Sequence, residues 1–364
     1  MDKKRIIILT NIPSPYRVAL FNYLIDNYIE YEFRIVYSAS LEEDRGWKIN
    51  NSEIKNSIFL KSKSIKMNGS LDYKHIHIPM DIVEVLNKEN PDIVIASEYN
   101  PTALISYFWS KVKKKKYISW SDGTLNSEKN INSIQKILRK LICSGSDALI
   151  ASSSMTKEAQ KKYGAKPNKI FVSHLTVDIN EYLHFKKNIS NKQILFVGRL
   201  INIKGLDLLL EAIADIDKEF VVNIVGDGPE KENLIRLAKE LKIQEKVNFL
   251  GSKQGNDLLD QYKKSDIFIL PSRQDCFGVV ITEAMCNCMP IIASKFADGA
   301  YDLIDKNING FIVDPFNKNQ LKKKIELLLN NKDIVIRMGN ESYKKVGQFS
   351  IENISKEYIK AIEF

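Results

Sequence analysis

Short runs of Ile, Val and Leu alternate with amphipathic stretches along almost the whole chain. In the first half, the runs Arg5–Thr10, Glu32–Ser38, Ile93–Ser97, Tyr117–Trp120, Ala148–Ala151 and Lys169–Val172 predict strands. Helical spacing between them predicts helices over Tyr16–Tyr28, Pro79–Lys88, Thr102–Lys111, Ile131–Cys143 and Ser154–Tyr163. Strands that are apolar throughout, rather than at every second position, belong to a parallel sheet covered by helices on both faces.

The rhythm breaks over His174–Ser190, a polar stretch with neither period, and then restarts. Strands are predicted at Gln193–Val197, Val221–Val225, Val247–Leu250, Ile267–Leu270 and Ile291–Ala293. Helices are predicted at Gly205–Asp215, Glu230–Leu241, Asn256–Lys264 and Gly278–Cys286, and three further helical patterns close the chain. The expected fold class is α/β. One doubly wound domain spans 1–180, a second spans 190–345, and a linker lies at about 175–190. The C-terminal helix, about 347–364, is expected to pack back on the first domain. Two such units facing each other leave a cleft at the carboxyl ends of their strands, where ligands bind in open parallel sheets.

Charge makes the halves unequal. Of 54 Lys+Arg and 45 Asp+Glu, residues 1–190 hold 29 and 20, while residues 191–364 hold 25 of each. The excess of positive charge therefore sits in the first half, with the run Lys113–Lys116 and the trio Lys61, Lys63 and Lys66. An anionic partner for that half is expected, be it a membrane surface, a phosphorylated substrate or nucleic acid, with a lysine-rich solvated surface as the plainer reading of any single cluster. The helix at Thr102–Lys111 either offers Leu104, Ile105, Tyr107, Phe108 and Trp109 for partial burial in lipid, or packs on the sheet while the lysines after it solvate a turn. No apolar run approaches the ~18 residues of a membrane span. The basic start before Ile6–Leu9 resembles a signal peptide, but its apolar stretch is too short and Asn11, Pro13 and Pro15 follow, so a cytosolic protein is expected. Cys143, Cys276, Cys286 and Cys288 are too few and too unevenly spaced for a disulfide framework, and His75-x-His77 reads as a surface or packing pair rather than a metal site.

Candidate chemistry gathers in the second half. Gly198-Arg199 follows a strand, and Lys204-Gly205 opens a helix, so two cations stand where free helix N–H groups favour a phosphate. Gly226-Asp227-Gly228-Pro229 ends the next strand without the third glycine of a dinucleotide fingerprint. Its Pro229 is explained by helix capping, and its glycines equally by a close approach of backbone to ligand. The strongest feature runs from Pro271 to Met285, where Asp275 and Glu283 flank a helix start at Gly278. Each carboxylate can accept two hydrogen bonds in one plane, which suits neighbouring sugar hydroxyls on either side of a diphosphate.

In this order, Gly198-Arg199, Lys204-Gly205, Gly226-Asp227-Gly228-Pro229 and Ser272-x-x-Asp275-x-Phe277-Gly278-x4-Glu283-Ala284, the chain resembles the family 4 retaining glycosyltransferases of the GT-B fold. The resemblance spans about 190–315, and the start Ile12-Pro13-Ser14-Pro15-Tyr16-Arg17 is similar to members that build bacterial surface polysaccharides such as O-antigen or capsule. It implies Arg199 and Lys204 as diphosphate cations, Asp275 at the transferred sugar and Glu283 at the ribose hydroxyls. With Arg199, Lys204 and Asp275 as the catalytic group, the implied donor set adds Gly198, Gly226, Ser252, Lys253, Phe277, Gly278, Val279 and Glu283. Tyr16, Arg17, Glu98 and Asp122 are the acceptor-side candidates. The chain departs from the family's pattern in three places. Asp275 stands where Glu is usual, Pro13 and Pro15 remove backbone donors after the first strand, and Asp122 in Ser119–Thr124 lies where many members carry a histidine.

The implied reaction moves a sugar from a nucleotide diphosphate sugar, UDP-sugar before GDP-sugar, to a hydroxyl of a glycan or lipid-linked acceptor with retained configuration. Neither cofactor nor metal is expected. Asp215-x-Asp217 ends a helix rather than a strand and reads as a solvated helix end. A nucleotide-sugar epimerase or hydrolase on the same fold and a basic nucleic-acid binder are the alternatives. No nucleic-acid module signature supports the latter, and no Gly-x-Gly-x-x-Gly supports a nicotinamide enzyme.

Overall fold

A computed structural model describes residues 3–40, 53–68, 73–185, 189–190 and 192–364. The chain divides into two compact units, Met1–Asp178 with Ile351–Phe364, and Ile179–Ser350.

The first unit opens with β1 (Lys4–Thr10), α1 (Pro15–Asn27), β2 (Tyr31–Tyr37) and β3 (Ser57–Phe59), then β4 (Ser62–Asn68) and β5 (Tyr73–Pro79). It continues with α2 (Ile82–Glu89), β6 (Ile93–Ser97), α3 (Pro101–Val112), β7 (Lys116–Ser121) and α4 (Ser133–Gly145). β8 (Ala148–Ala151), α5 (Ser154–Lys162) and β9 (Ile170–Val172) complete the run. Seven strands form one parallel sheet in the order β3-β2-β1-β6-β7-β8-β9. β1 shows why its residues make a central strand. Ile6 and Ile8 pack with α1 and the C-terminal helix Ile351–Glu363 on one face, and Ile7 and Leu9 pack with α2 and α3 on the other. Each such side chain contributes about 1.5–3 kcal/mol on burial, so Ile8→Ala costs about 2–5 kcal/mol.

The second unit starts with α6 (Ile179–Tyr182) and β10 (Gln193–Val197), followed by α7 (Leu206–Ala214), β11 (Val221–Val225), α8 (Lys231–Glu240) and β12 (Val247–Phe249). Then come α9 (Gly255–Lys264), β13 (Ile267–Leu270), α10 (Val280–Met285), β14 (Ile291–Ser294), α11 (Ala300–Leu303), β15 (Gly310–Val313), α12 (Lys318–Asn330) and α13 (Lys332–Val346). Its six strands are parallel in the order β12-β11-β10-β13-β14-β15.

Several elements differ from the sequence expectation. β3, the antiparallel pair β4–β5 and the edge strand β15 add to the expected set. The helix expected from Pro79 begins at Ile82, because Pro79 ends β5. The polar stretch His174–Ser190 contains α6. Tyr107 and Trp109 of α3 are buried against the sheet, leaving Phe108 as the exposed aromatic, so α3 does not offer its apolar set to lipid. Lys116 Nζ donates to Ile362 O at 2.8 Å and Lys115 pairs with Asp92 at 3.5 Å, which leaves Lys113 and Lys114 as the exposed members of that run. His77 is buried with Nδ1 2.7 Å from Ser64 Oγ. Asp215 caps α7 and pairs with Lys318 at 2.7 Å.

Candidate active site

In each sheet the strand order reverses beside the first strand, and the crevice at such a switch point is the usual ligand site of doubly wound sheets. In the second unit the switch lies between β10 and β13. Gly198 and Arg199 leave the end of β10, and a short 3-10 turn, Asn202–Lys204, carries Lys204. Asp275 lies in the loop after β13. The structure brings these loops together: Lys204 Nζ donates to Asp275 Oδ2 at 2.6 Å, both side chains being largely buried.

Contacts missing from the sequence reading fix this pair. Arg273 N–H donates to Ile203 O at 2.8 Å, and its guanidinium forks onto Asp207 at 2.7 and 2.5 Å. The Asp275 backbone is held on both sides, with N–H donating to Phe296 O and the carbonyl accepting from Asp298, each at 2.9 Å. Two of the motif glycines have structural reasons. A Cβ on Gly226, at φ 146°, would lie 1.9 Å from Gly198 O, and one on Gly205, at φ 65°, would lie 2.3 Å from Pro271 O. Both glycines let one strand-end loop touch the next, so the protein's own backbone accounts for them. Gly226 N–H also donates to Gly251 O at 2.9 Å, bringing the loop of exposed Ser252 and half-buried Lys253 beside it.

Phe277 and Gly278 are buried, Val279 is half-buried, and Phe277 N–H approaches Asp275 Oδ1 at 3.3 Å. Glu283 points into the protein from α10. Burial pushes its carboxyl up to about 7, against which Tyr262 OH donates to Oε2 at 2.5 Å. Tyr262 comes from α9, and nothing in the local sequence marks it.

The first unit's switch lies between β1 and β6, and a cavity of about 230 Å³ opens there. Tyr16, Arg17, Glu98 and Asp122 all line it, so the structure gathers the four acceptor-side candidates in one place. Arg17 Nη2 donates to both Asp122 oxygens at 2.7 and 2.8 Å, and the guanidinium stacks 3.8 Å from the Trp120 ring centroid. Glu98 sits at φ 62°, an uncommon backbone for a non-glycine residue that is held by surrounding structure. Its carboxylate accepts from Asp122 N–H at 2.8 Å and from Ser121 OH at 3.1 Å. Burial, with the Asp122 and Glu128 carboxylates nearby, pushes Glu98 up to about 7. Among the described residues no group of three or more His, Cys, Asp or Glu side chains is placed to hold a metal ion.

Residues 180–345 match the family model of glycosyl transferases group 1. That segment lies within the second unit. An uncharacterized glycosyltransferase of Haemophilus influenzae is 35% identical over 173 residues, covering 47% of this chain and 48% of that protein. A Campylobacter jejuni alpha-1,4-N-acetyl-D-galactosaminyltransferase acting on a diNAcBac-PP-undecaprenol-linked saccharide is 30% identical over 235 residues, 63% of each chain. The chain thus spans less than two thirds of the length of these two relatives. Among solved structures, Anabaena HepE in complex with UDP superposes at TM-score 0.80 with 17% identity over 100% of both chains. The lipopolysaccharide outer core galactosyltransferase WaaB superposes at TM-score 0.75 with 18% identity, over 98% of this chain and 99% of that one. The fold is GT-B, with two Rossmann-like units.

Proposed function

We propose that this chain is a retaining glycosyltransferase that takes a sugar from a nucleotide diphosphate sugar, UDP-sugar before GDP-sugar, and gives it to a glycan or lipid-linked hydroxyl. The observation that carries the reading is the meeting of Lys204 and Asp275 at the switch point of the unit that matches the group 1 family. As the bond to the diphosphate breaks, negative charge grows on the leaving oxygens. Arg199 and Lys204 stabilise it as fixed cations, and a leaving phosphate oxygen takes the proton that the acceptor hydroxyl gives up as the new glycosidic bond forms. Lys204 is preorganised for this by Asp275, which also faces the sugar hydroxyls. Glu283, held by Tyr262, takes the ribose hydroxyls. The cavity around Arg17, Glu98 and Asp122 takes the acceptor.

Other glycosyltransferases support the pathway assigned here, bacterial surface polysaccharide synthesis. The Campylobacter relative is named for an undecaprenol diphosphate-linked saccharide, and WaaB for the lipopolysaccharide outer core. A lipid-linked acceptor places the protein in the cytoplasm at the inner face of the membrane. There the first unit's net positive charge meets anionic headgroups. Among the described residues no helix is long and apolar enough to cross a membrane.

The test is thermal-shift screening against UDP, GDP and ADP, followed by turnover of the matching sugars and NMR of the product anomer. Stabilisation by UDP and an unchanged anomeric configuration are expected. Free sugar released without any acceptor would favour an epimerase or hydrolase instead. Binding to nucleic acid that survives physiological salt would favour the basic binder.

A further inference from the structure

Helix α4 is inside out. Ile134, Ile137, Leu138 and Leu141 stand at i, i+3, i+4 and i+7, the spacing of one helix face, which in a globular protein ordinarily packs on the core. Here Ile134 is 69% exposed, Ile137 63% and Leu141 37%, with Leu138 half-buried. The inward side instead carries Arg139, whose Nε donates to the buried Glu128 at 2.7 Å and whose guanidinium lies 4.7 Å from the Tyr99 ring centroid. Ile142 and Cys143 are the residues α4 buries. A reciprocal cap between Asn132 and Gln135 closes its first turn.

Its charge selects what covers the stripe. α4 has three cations, Lys136, Arg139 and Lys140, and no acid. Lys136 and Lys140 are exposed beside the stripe, and Lys129 stands just before the helix. A second copy docking antiparallel through the same stripe would set these lysines against their own counterparts, whereas an anionic plane meets all of them. The wider surface agrees. Among the described residues, thirteen of the eighteen exposed large hydrophobic side chains lie in the first unit, including Phe108 and Val112 of neighbouring α3. That unit also holds 29 Lys+Arg against 22 Asp+Glu. Apolar and cationic surface thus coincide.

We infer that α4 is an interfacial helix that seats Ile134, Ile137 and Leu141 among the headgroups of an anionic bilayer while Lys136 and Lys140 engage lipid phosphates. The inference rests on the proposed work at a membrane face and names the element that performs the docking, in place of α3 and the Lys113–Lys116 run.

Co-sedimentation of the full chain with phosphatidylcholine vesicles, with and without phosphatidylglycerol, tests it. The wild type is expected on anionic vesicles only. The double variant Ile134→Ser/Ile137→Ser should lose on the order of tenfold or more of its partition coefficient, with an unchanged thermal midpoint because both side chains are exposed. Lys136→Gln/Lys140→Gln should lose several-fold at low salt and little at high salt. The indole of an Ile137→Trp variant should be quenched by brominated lipid, a readout that a purely structural role would not give. Wild-type binding matched by the isoleucine-to-serine variant, or an Ile137→Trp protein that binds without quenching, would overturn the role of α4 and leave membrane attachment standing. Failure of the wild type to bind any vesicle would overturn both. A dimer in sedimentation velocity that Ile134→Ser/Ile137→Ser dissociates, with vesicle binding intact, would overturn it in favour of a self-association face.

Discussion

The two units solve the same problem with opposite sequence economy. Each places a cation after its first strand against an acid from across the switch point, Arg17 with Asp122 in one and Lys204 with Asp275 in the other. Each also keeps a second carboxyl near neutrality, Glu98 or Glu283, both pushed up to about 7 chiefly by burial. They differ in how that carboxyl is treated. Glu98 accepts two hydrogen bonds beside an ion pair, whereas Glu283 has a tyrosine hydroxyl and burial. The first arrangement suits a polar, charged cavity. The second suits a carboxyl kept dry until a ligand hydroxyl reaches it.

The largest expected effect separates donor work from the rest. Arg199→Ala and Lys204→Ala each lower kcat/KM about 100- to 1000-fold, ~2.7–4 kcal/mol, by analogy with a lost transition-state donor. Arg17→Ala leaves UDP affinity unchanged, and isothermal titration checks it. Because Lys204 and Asp275 touch, Lys204→Ala/Asp275→Asn costs less than the sum of the single variants. A fully additive pair would show that the ion pair does not position the lysine.

Next in size is a pH effect. Glu283 titrates near 7 in the fold and near 4.5 when unfolded, so its carboxyl contributes stability fully present below about 4.5 that is lost as pH rises through about 7. The loss is about 3 kcal/mol at most for the ligand-free protein. Urea melts at pH 5 and pH 8 should differ in this direction, and Glu283→Gln should flatten its share. Glu98→Gln should remove a share of the same sign. A Glu283→Gln protein with the full wild-type pH dependence would dissociate the titration from this residue.

Arg17→Ala is smaller because Asp122 keeps 27% side-chain exposure while Arg17 keeps 6%. A broken, mostly buried pair costs about 3–5 kcal/mol, and partial solvation of the acid brings this to about 2 kcal/mol. A double-mutant cycle with Asp122→Asn measures it. The pH midpoint assigned to Glu98 should also rise, since Asp122 then faces it without a counter-charge.

The same contrast shows what was legible in the chain. Most residues proposed for the donor lie in two contiguous stretches, 198–205 and 271–283, so their order was readable before any fold was known. Arg17, Glu98 and Asp122 follow three different strands with no fixed spacing, and only the sheet order makes them neighbours. The Lys204–Asp275 contact and the fork of Arg273 on Asp207 join residues 66 to 71 positions apart, which no local period encodes. Central strands were legible because both faces are apolar. β4 reads Ser-Lys-Ser-Ile-Lys-Met-Asn, and its Lys63, Ile65 and Lys66 are exposed, so it lacked that signal. α4 misleads for the opposite reason, since its apolar spacing is that of a core helix while its isoleucines at 134 and 137 face outward.

The smallest effect bears on the treatment of the two carboxyls. Tyr262→Phe removes the hydroxyl 2.5 Å from Glu283 Oε2 while keeping the ring that packs against Phe268. The hydrogen bond favours the charged form, so its loss should move the Glu283 midpoint further up. The cost is about 1 kcal/mol at pH 8, where the carboxylate is most populated, and less at pH 5. The matching change in the first unit, Ser121→Ala, leaves Glu98 the Asp122 N–H and should shift its midpoint less. Urea melts of both variants across pH 5–8 rank the two shifts. A larger shift for Ser121→Ala would mean that the side-chain donor, rather than the backbone N–H, governs Glu98, and that the two carboxyls are tuned in the same way after all.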